Sequence, residues 1–452
     1  MAEHETHPNV DDESGQKILG IWVAPGISRL NLTVFYYSAF ATIGLLTFIS
    51  TGTTLVLNAN LGIPIGEQGT ITGNLVIATE LAQFLVFGLV GIMADRIGRR
   101  EVFSIGMFVM GISYALYPFA ESIAELTVYR VIYAVGLGAA TGMLQTIVAD
   151  YPQDRSRGKL VATGGVFNGL GVICVTVLFG RFVPPWLIDA GYDAITTSRI
   201  THGVVALACF VSSGLYLIGI KKGTPGSKEE RPPIRELVVS GFLEGRNPRI
   251  ALSYAAAFVA RGDLVILGTF TVLWGSVAGI EQGLDPAIAA ARGAGIFGTA
   301  SAAALLWLGF LAVFMDRLNR VTTAVICMAL ASIGYSSMWF VDDPLAPAAI
   351  PLFLLLGVGQ VSAFFGATVL ISHEAPKLKR GAVIGMFNMC GAVGIFISSG
   401  IGGRLFDSIG PSAPFVLVGG MNACVFLLAV VVRIMSPGKM PEKKKSALAD
   451  ST

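Results

Sequence analysis

The sequence predicts an all-α membrane protein: twelve transmembrane helices in two pseudo-symmetric six-helix bundles. Three observations point there. The first is composition. Of 452 residues, 54% are hydrophobic and 13% charged, against about 25% charged in a soluble domain, and mean hydropathy is +0.71. That leaves too little polar surface to cover a globule, so most side chains must face lipid or one another. The second is an internal repeat. The charged turn GIMADRIGRR at 91–100 returns in weaker form as AVFMDRLNRV at 312–321, with Asp316 lying 221 residues after Asp95. A charged turn repeated once per half marks a membrane bundle built from two similar halves. The third is the polar stretch 221–247, which contains KKGTPGSKEERPPIREL and divides the apolar runs six from six.

Taken in order, the chain opens on an acidic, polar segment, MAEHETHPNVDDESG. It has no basic region leading into a short apolar stretch, so it is not a signal peptide; it reads as a disordered tail. A span needs about 20 apolar residues to cross a core about 30 Å thick. Runs of that length fall at 33–57, 72–94, 101–120, 126–149, 161–183 and 200–220, then at 249–277, 293–315, 321–341, 346–371, 382–403 and 412–433. The predicted domains are an N-terminal tail (1–30), a first bundle (31–220), a central loop (221–248), a second bundle (249–435) and a C-terminal tail (436–452). Lys and Arg concentrate in both tails, the central loop and the alternate connections, 25 of the 31 lying there, while the connections 58–71, 119–125 and 342–345 hold none. The asymmetry places both termini in the cytoplasm of a protein in the cell's inner or plasma membrane. The net charge of +2 is then a topology signal rather than a nucleic-acid footprint. All five cysteines lie inside spans, and neither a disulfide framework nor a metal site is suggested.

Further echoes support two halves. ADYPQDRSRG after the fourth span answers HEAPKLKRG after the tenth; Val166-Phe167-Asn168 answers Met386-Phe387-Asn388; Gly180-Arg181 answers Gly403-Arg404. Glycines cluster on the fourth, fifth and eleventh spans (Gly136, Gly138, Gly142; Gly164, Gly165, Gly169, Gly171; Gly391, Gly394, Gly400). In lipid such small residues let helix backbones approach.

The residues able to carry chemistry are few. Arg261 and Asp263 sit about 18 Å into the seventh span, near mid-membrane. Two residues apart on a helix, they point about 200° from each other and cannot pair easily. Each needs its own partner, or Gly262 must loosen the helix locally, since charge at that depth is costly. Glu80 lies inside the second span; a carboxyl in apolar surroundings favours its neutral form and can take up or release a proton. Arg130 lies one turn into the fourth span, where it either snorkels to the surface or is buried and paired. Softer candidates are Tyr36, Tyr37, Thr47, Gln145, Trp274 and Gln360, while His202 and His373, near span ends, receive no role. No nucleophile and base recur at useful spacing and no phosphate-binding Gly loop carries a Lys, which argues against an ATP-driven pump or a membrane enzyme.

The first charged turn resembles the signature loop of the major facilitator superfamily: Gly91, three residues, Asp95-Arg96, one residue, then Gly98-Arg99-Arg100. The second copy departs from it at Ala312, Asn319 and Val321. The resemblance extends over about residues 30–435 and implies a secondary transporter working by alternating access about a central site. It also implies a conformational latch at the cytoplasmic rim, formed by Gly91, Asp95, Arg96, Arg99, Arg100, Asp150 and Arg157 in the first half, and by Asp316, Arg317, Glu374 and Arg380 in the second. Arg130 resembles the family's fourth-helix Arg, which is tied to proton coupling, and helices 1, 4, 7 and 10 are expected to line the cavity. The fifth span lacks the Gly-Pro pair usual in the family's drug antiporters.

The expected function is secondary transport of a small solute, an organic anion or metabolite, driven by protons, with the bilayer as surroundings, no cofactor, no metal and a monomer as the working unit. Arg261, Asp263, Arg130, Glu80, Tyr36, Gln145 and Gln360 are its candidate binding or coupling residues. The alternatives are a proton-antiporting drug or metabolite exporter of the same fold and, from another class, a transporter-like membrane sensor.

Overall fold

A computed structural model describes residues 16–223, 234–315, 318–376 and 379–437. Asp316, Arg317, half of the predicted N-terminal tail (1–15) and most of the C-terminal one (438–452) lie outside the described residues, as does the middle of the central loop. Among the described residues twelve helices are long and apolar enough to cross a membrane. In the first half they are α1 (Arg29–Asn60), α2 (Ile65–Ile97), α3 (Arg99–Phe119), α4 (Ile123–Asp150), α5 (Arg155–Asp189) and α6 (Ala194–Gly219). In the second they are α7 (Pro248–Glu281), α8 (Pro286–Met315), α9 (Arg320–Phe340), α10 (Pro347–Glu374), α11 (Arg380–Ser408) and α12 (Ala413–Met435). Most overrun the predicted apolar runs, because hydropathy reads the depth of hydrocarbon and the helices continue through their polar ends.

Local chemistry sets the helix starts. Ser28 caps α1 in a reciprocal capping box with Asn31, Ser122 caps α4, Asp193 caps α6, and Asn247 caps α7 ahead of Pro248. At Asp193 the Thr196 hydroxyl and backbone N–H hold the carboxyl below the usual carboxylate range. The two charged turns solve one problem differently. Gly98 takes φ +107°, which favours glycine, whereas Asn319 keeps φ −60° and caps α9 with its side chain on the N–H groups of Val321 and Thr322. The weaker second copy is therefore a working helix start. Short π-helical turns interrupt α1 at Val56–Asn60, α5 at Thr176–Phe182 and α7 at Ile266–Phe270.

The chain divides into two compact units. The boundary falls inside α2: Ile63–Ile77 belongs by its contacts to the second unit, and the chain from Ala78 to the central loop to the first. In the first unit α1 packs on α5 and α6, and α3 on α4 and α6. In the second α7 packs on α11 and α12, and α9 on α10 and α12. The same pairings recur, and so do their details. Gly171 lets α5 close onto the Phe40 carbonyl of α1; Gly394 lets α11 close onto the Phe258 carbonyl of α7. Tyr114 donates to the Leu45 carbonyl at 2.6 Å, and Tyr335 donates to the Asp263 carbonyl at 2.6 Å. Gly171 and Gly394 are 223 residues apart, as are Gly158 and Gly381, and Arg181 and Arg404. The Val166–Asn168 and Met386–Asn388 strings are 220 apart, so that echo is out of register with the packing by three residues. In the second unit, the Asp407 carboxylate of α11 accepts from the N–H groups of Gly69 (2.8 Å) and Thr70 (2.7 Å), at the early part of α2.

The residues just before α1 are not a loose tail. Gln16–Ile18 and Ile21–Val23 form an antiparallel hairpin, turned by Leu19 and Gly20 with φ of 48° and 79°. It ties down the α4–α5 connection. Gln153 N–H donates to the Trp22 carbonyl (2.9 Å), Ala24 N–H to the Tyr151 carbonyl (2.9 Å), and the Arg155 guanidinium lies 3.6 Å over the Trp22 ring. Tyr151 sits beneath; burial pushes its phenol up to about 12, opposed by the Lys221 N–H that donates to it.

Candidate functional site

In the first unit the site builds around Arg130. It is buried, not snorkelling: its side chain is 5% exposed. Nε donates to Thr79 Oγ1 of α2 at 2.8 Å, and Nη1 to Thr53 Oγ1 of α1 at 3.2 Å. The guanidinium also lies 5.3 Å from the Tyr133 ring centroid. Thr53 in turn shares a hydrogen bond with the Tyr117 hydroxyl at 3.0 Å. Arg130 thus joins α1, α2, α3 and α4 through neutral oxygens. Thr79 precedes the candidate Glu80, which is half-buried. Tyr36 lies elsewhere, bonded to Thr163 at 3.1 Å and stacked on Phe167. Gln145 is exposed on α4.

In the second unit Arg261 and Asp263 part as their spacing requires. Asp263 is fully buried. Asn422 of α12 donates through Nδ2 to both carboxylate oxygens, at 3.0 and 3.1 Å, and also to the Val418 carbonyl. Arg261 turns to α10 and α11. Its guanidinium lies 5.6 Å from the Phe364 ring, and Nη2 sits 3.4 Å from Asn388 Oδ1, both on residues with exposed side chains. Gln360 is buried on α10. Leu45 occupies in α1 the place of Asp263 in α7, defined by the matching tyrosine hydrogen bonds. The first half fills that place with a buried apolar side chain; the second fills it with a carboxylate.

At the rim, Arg99 pairs with Asp150, and Arg100 with Glu101 at 2.7 Å. Asp95 and Arg96 are exposed, and Gly91 is half-buried on α2. Arg157 donates to the Ala149 carbonyl at 3.4 Å, and Arg380 to the Ser372 carbonyl at 3.0 Å. The two arginines cap the last turns of α4 and α10, where carbonyls lack helical partners and the dipole favours a cation. The expected grouping of Arg380 with Glu374 is replaced: Glu374 is held by Arg249 at 3.0 Å, because Arg249 enters with the first turn of α7 while Arg380 is drawn to the helix end. Lys379 pairs with Glu244 at 2.7 Å.

Sequence reasoning missed Thr53, Thr79 and Asn422. A lone Asn in the apolar run APFVLVGGMNACVFLLAVVV was the legible signal for the last. Nothing in the sequence marks one threonine over another.

A family model described as Major Facilitator Superfamily matches residues 32–399, with a second, overlapping match at 294–451. The chain belongs to the major facilitator superfamily. Among its superfamily relatives, the magnetosome protein MamH of Paramagnetospirillum magneticum is 28% identical over 384 residues, covering 83% of this chain and 86% of that one. The magnetosome protein MamZ of the same organism is 26% identical over 390 residues, and the match spans only 58% of its length. The solved structure of the nucleoside transporter NupG superposes with a TM-score of 0.67 at 14% identity, covering 91% of this chain and all of that one; the likeness is one of fold. This superfamily member is an integral membrane transporter of small molecules and not an enzyme.

Proposed function

We propose that the protein moves a small organic anion by alternating access, driven by a proton gradient, with Arg261 binding the anion and Asp263 carrying the coupling proton. The observation behind this reading is the divergence of the two side chains. Arg261 presents a planar fork beside the exposed Asn388 and Phe364, a setting suited to a carboxylate on a flat or apolar body. Asp263 is sealed against Asn422, whose amide suits either protonation state. Its NH₂ donates to the carboxylate as seen, and its oxygen, turned over, accepts from the carboxylic acid. That oxygen has no hydrogen-bond partner among the described residues.

The test is Arg261→Lys in liposomes. It keeps the charge and removes the fork. Binding of a carboxylate substrate should weaken by about tenfold or more, consistent with a lost bidentate contact of about 1.5–3 kcal/mol, while expression and thermal stability hold. Unchanged affinity would remove Arg261 from the site.

Both termini and the central loop are assigned to the cytoplasm of the inner or plasma membrane. Single cysteines at Gly62 and Ser227, treated with an impermeant thiol reagent on intact cells, check this. Labelling is expected at 62 alone. Labelling at 227 alone reverses the orientation. Labelling at neither, until cells are permeabilised, would place the protein in an internal membrane, as the magnetosome name of the MamH relative suggests.

A further inference from the structure

One fully buried titratable group of the first unit takes no part in the sites above. His202 of α6 has no exposure. Its ring is stacked on Tyr117 at 5.9 Å and set edge-on to Phe48 at 5.4 Å. Nδ1 lies 2.8 Å from the Ser198 carbonyl, so Nδ1 carries the hydrogen and Nε2 is left as a bare acceptor. Among the described residues Nε2 has no hydrogen-bond partner, and neither do the buried hydroxyls of Thr197, Ser198 and Thr201 on the same turns. Folded proteins rarely leave so many buried polar atoms unsatisfied at one place.

Nε2 is aimed at a particular target. It lies 2.7 Å from where a Cβ on Gly52 would stand, so the glycine admits the ring against the backbone of α1. The Gly52 carbonyl also receives the Val56 N–H, where α1 changes from α-helical to π-helical winding. A proton on Nε2 turns the acceptor into a donor facing that junction. The space admits nothing larger: Phe48, Gly52 and Tyr117 close the ring in, and no group of His, Cys, Asp or Glu able to hold a metal occurs among the described residues.

We propose that His202 is a proton-binding site of the first six-helix unit, loaded in the state where its ring meets water and emptied when α1, α3 and α6 close over it as they do here. The proposal rests on the alternating-access reading and adds to it a second protonation site, remote from Asp263. The groups facing the ring are few. From α3 comes the Tyr117 phenol, and behind it, through Thr53, the Arg130 guanidinium of α4. From α1 come Phe48 and Gly52, which do not titrate. On α6 itself, Arg199 turns outward onto Phe119, and Asp193 is an exposed cap. Asp189, at the end of the helical turn Val183–Asp189 that packs on α6, is also exposed. Among the described residues a guanidinium is the charge wired to the site, so a proton on the ring meets like charge, and protonation favours opening.

Two measurements test this without any substrate. In the first, His4→Gln, His7→Gln and His373→Gln leave His202 as the single histidine of the four, and its ¹³C-labelled imidazole is followed by NMR in detergent between about pH 5 and 8. A reversible shift is expected. In the second, a cysteine at Asn58, in a background without the native cysteines, reports access to the π turn. Access should change with pH by up to about tenfold per unit, the ceiling for one linked proton, and His202→Gln should flatten the response. An imidazole signal constant across the range overturns the proposal, as does an unchanged pH response in His202→Gln. If His202→Gln fails to fold, the NMR measurement decides alone. Failure here leaves the transport reading standing, since Arg261→Lys tests that by substrate binding.

Discussion

Asn422→Leu should destabilise the second unit markedly. It removes the one donor that meets both oxygens of the buried Asp263 carboxyl and leaves that group facing apolar packing. Leaving a buried carboxyl without its donor costs about 1–3 kcal/mol, and more where the group is charged, and the thermal melt of the purified protein should fall accordingly. The first half supplies the control. Leu45 fills the equivalent place with no carboxyl at all, so the fold accepts an apolar side chain there. The double variant Asp263→Leu with Asn422→Leu should therefore recover most of the lost stability, giving a strongly favourable coupling in the double-mutant cycle. Function separates the two roles of the pair. Asp263→Asn mimics the protonated acid, so exchange of substrate for substrate should survive in liposomes while proton-driven accumulation falls. If the double variant regains both stability and proton-driven accumulation, Asp263 is a brace between α7 and α12 and nothing more. If it regains stability alone, the carboxyl is present for the proton.

The twelve spans, the two halves and the family were legible because lipid imposes a coarse rule on sequence. Every span must be apolar over a fixed depth, and every charge inside one stands out against that background. The same contrast exposed Arg130, Arg261 and Asp263, and the divergence of the last two followed from a helical period of 3.6 residues. What failed to show was what each charge would meet. Arg130 meets Thr53 and Thr79, and threonines are too common in spans to be singled out. The rim was misread where charge was matched to charge. Arg380 bonds the Ser372 carbonyl, because the end of a helix offers carbonyls that sequence does not display as acids. The hairpin before α1 was read as tail because six paired residues are too short a signal, and what holds them is a loop more than 120 residues away. Asn319 looked like decay of a motif and proved to be a cap. One chemical requirement, a helix start after a sharp turn, had two residue solutions.

The second large effect belongs to the glycine seams. Gly394→Ala should destabilise the second unit, and Gly171→Ala the first, by about 1–3 kcal/mol or more. The reason is position rather than propensity. In the interior of an exposed helix, Ala for Gly is favourable by up to about 1 kcal/mol. At Gly394 the added Cβ would be driven into the Phe258 carbonyl of α7, and at Gly171 into the Phe40 carbonyl of α1. Backbone cannot step aside as a side-chain tip can, so one helix must move off the other along the whole seam. Between helices in lipid that close packing carries much of the association, because no hydrophobic force adds to it. Gly385 and Gly165 lie on the same two helices, α11 and α5, with open space where a Cβ would stand. Gly385→Ala and Gly165→Ala should melt like the parent protein or slightly above it. The four variants, compared by thermal melting in detergent, therefore separate packing from helix propensity. If Gly394→Ala and Gly171→Ala melt with their controls, α7–α11 and α1–α5 do not approach as closely as the fold requires. If only one of them falls, the two halves are not packed alike, and the repeat seen in their hydrogen bonds does not extend to their seams.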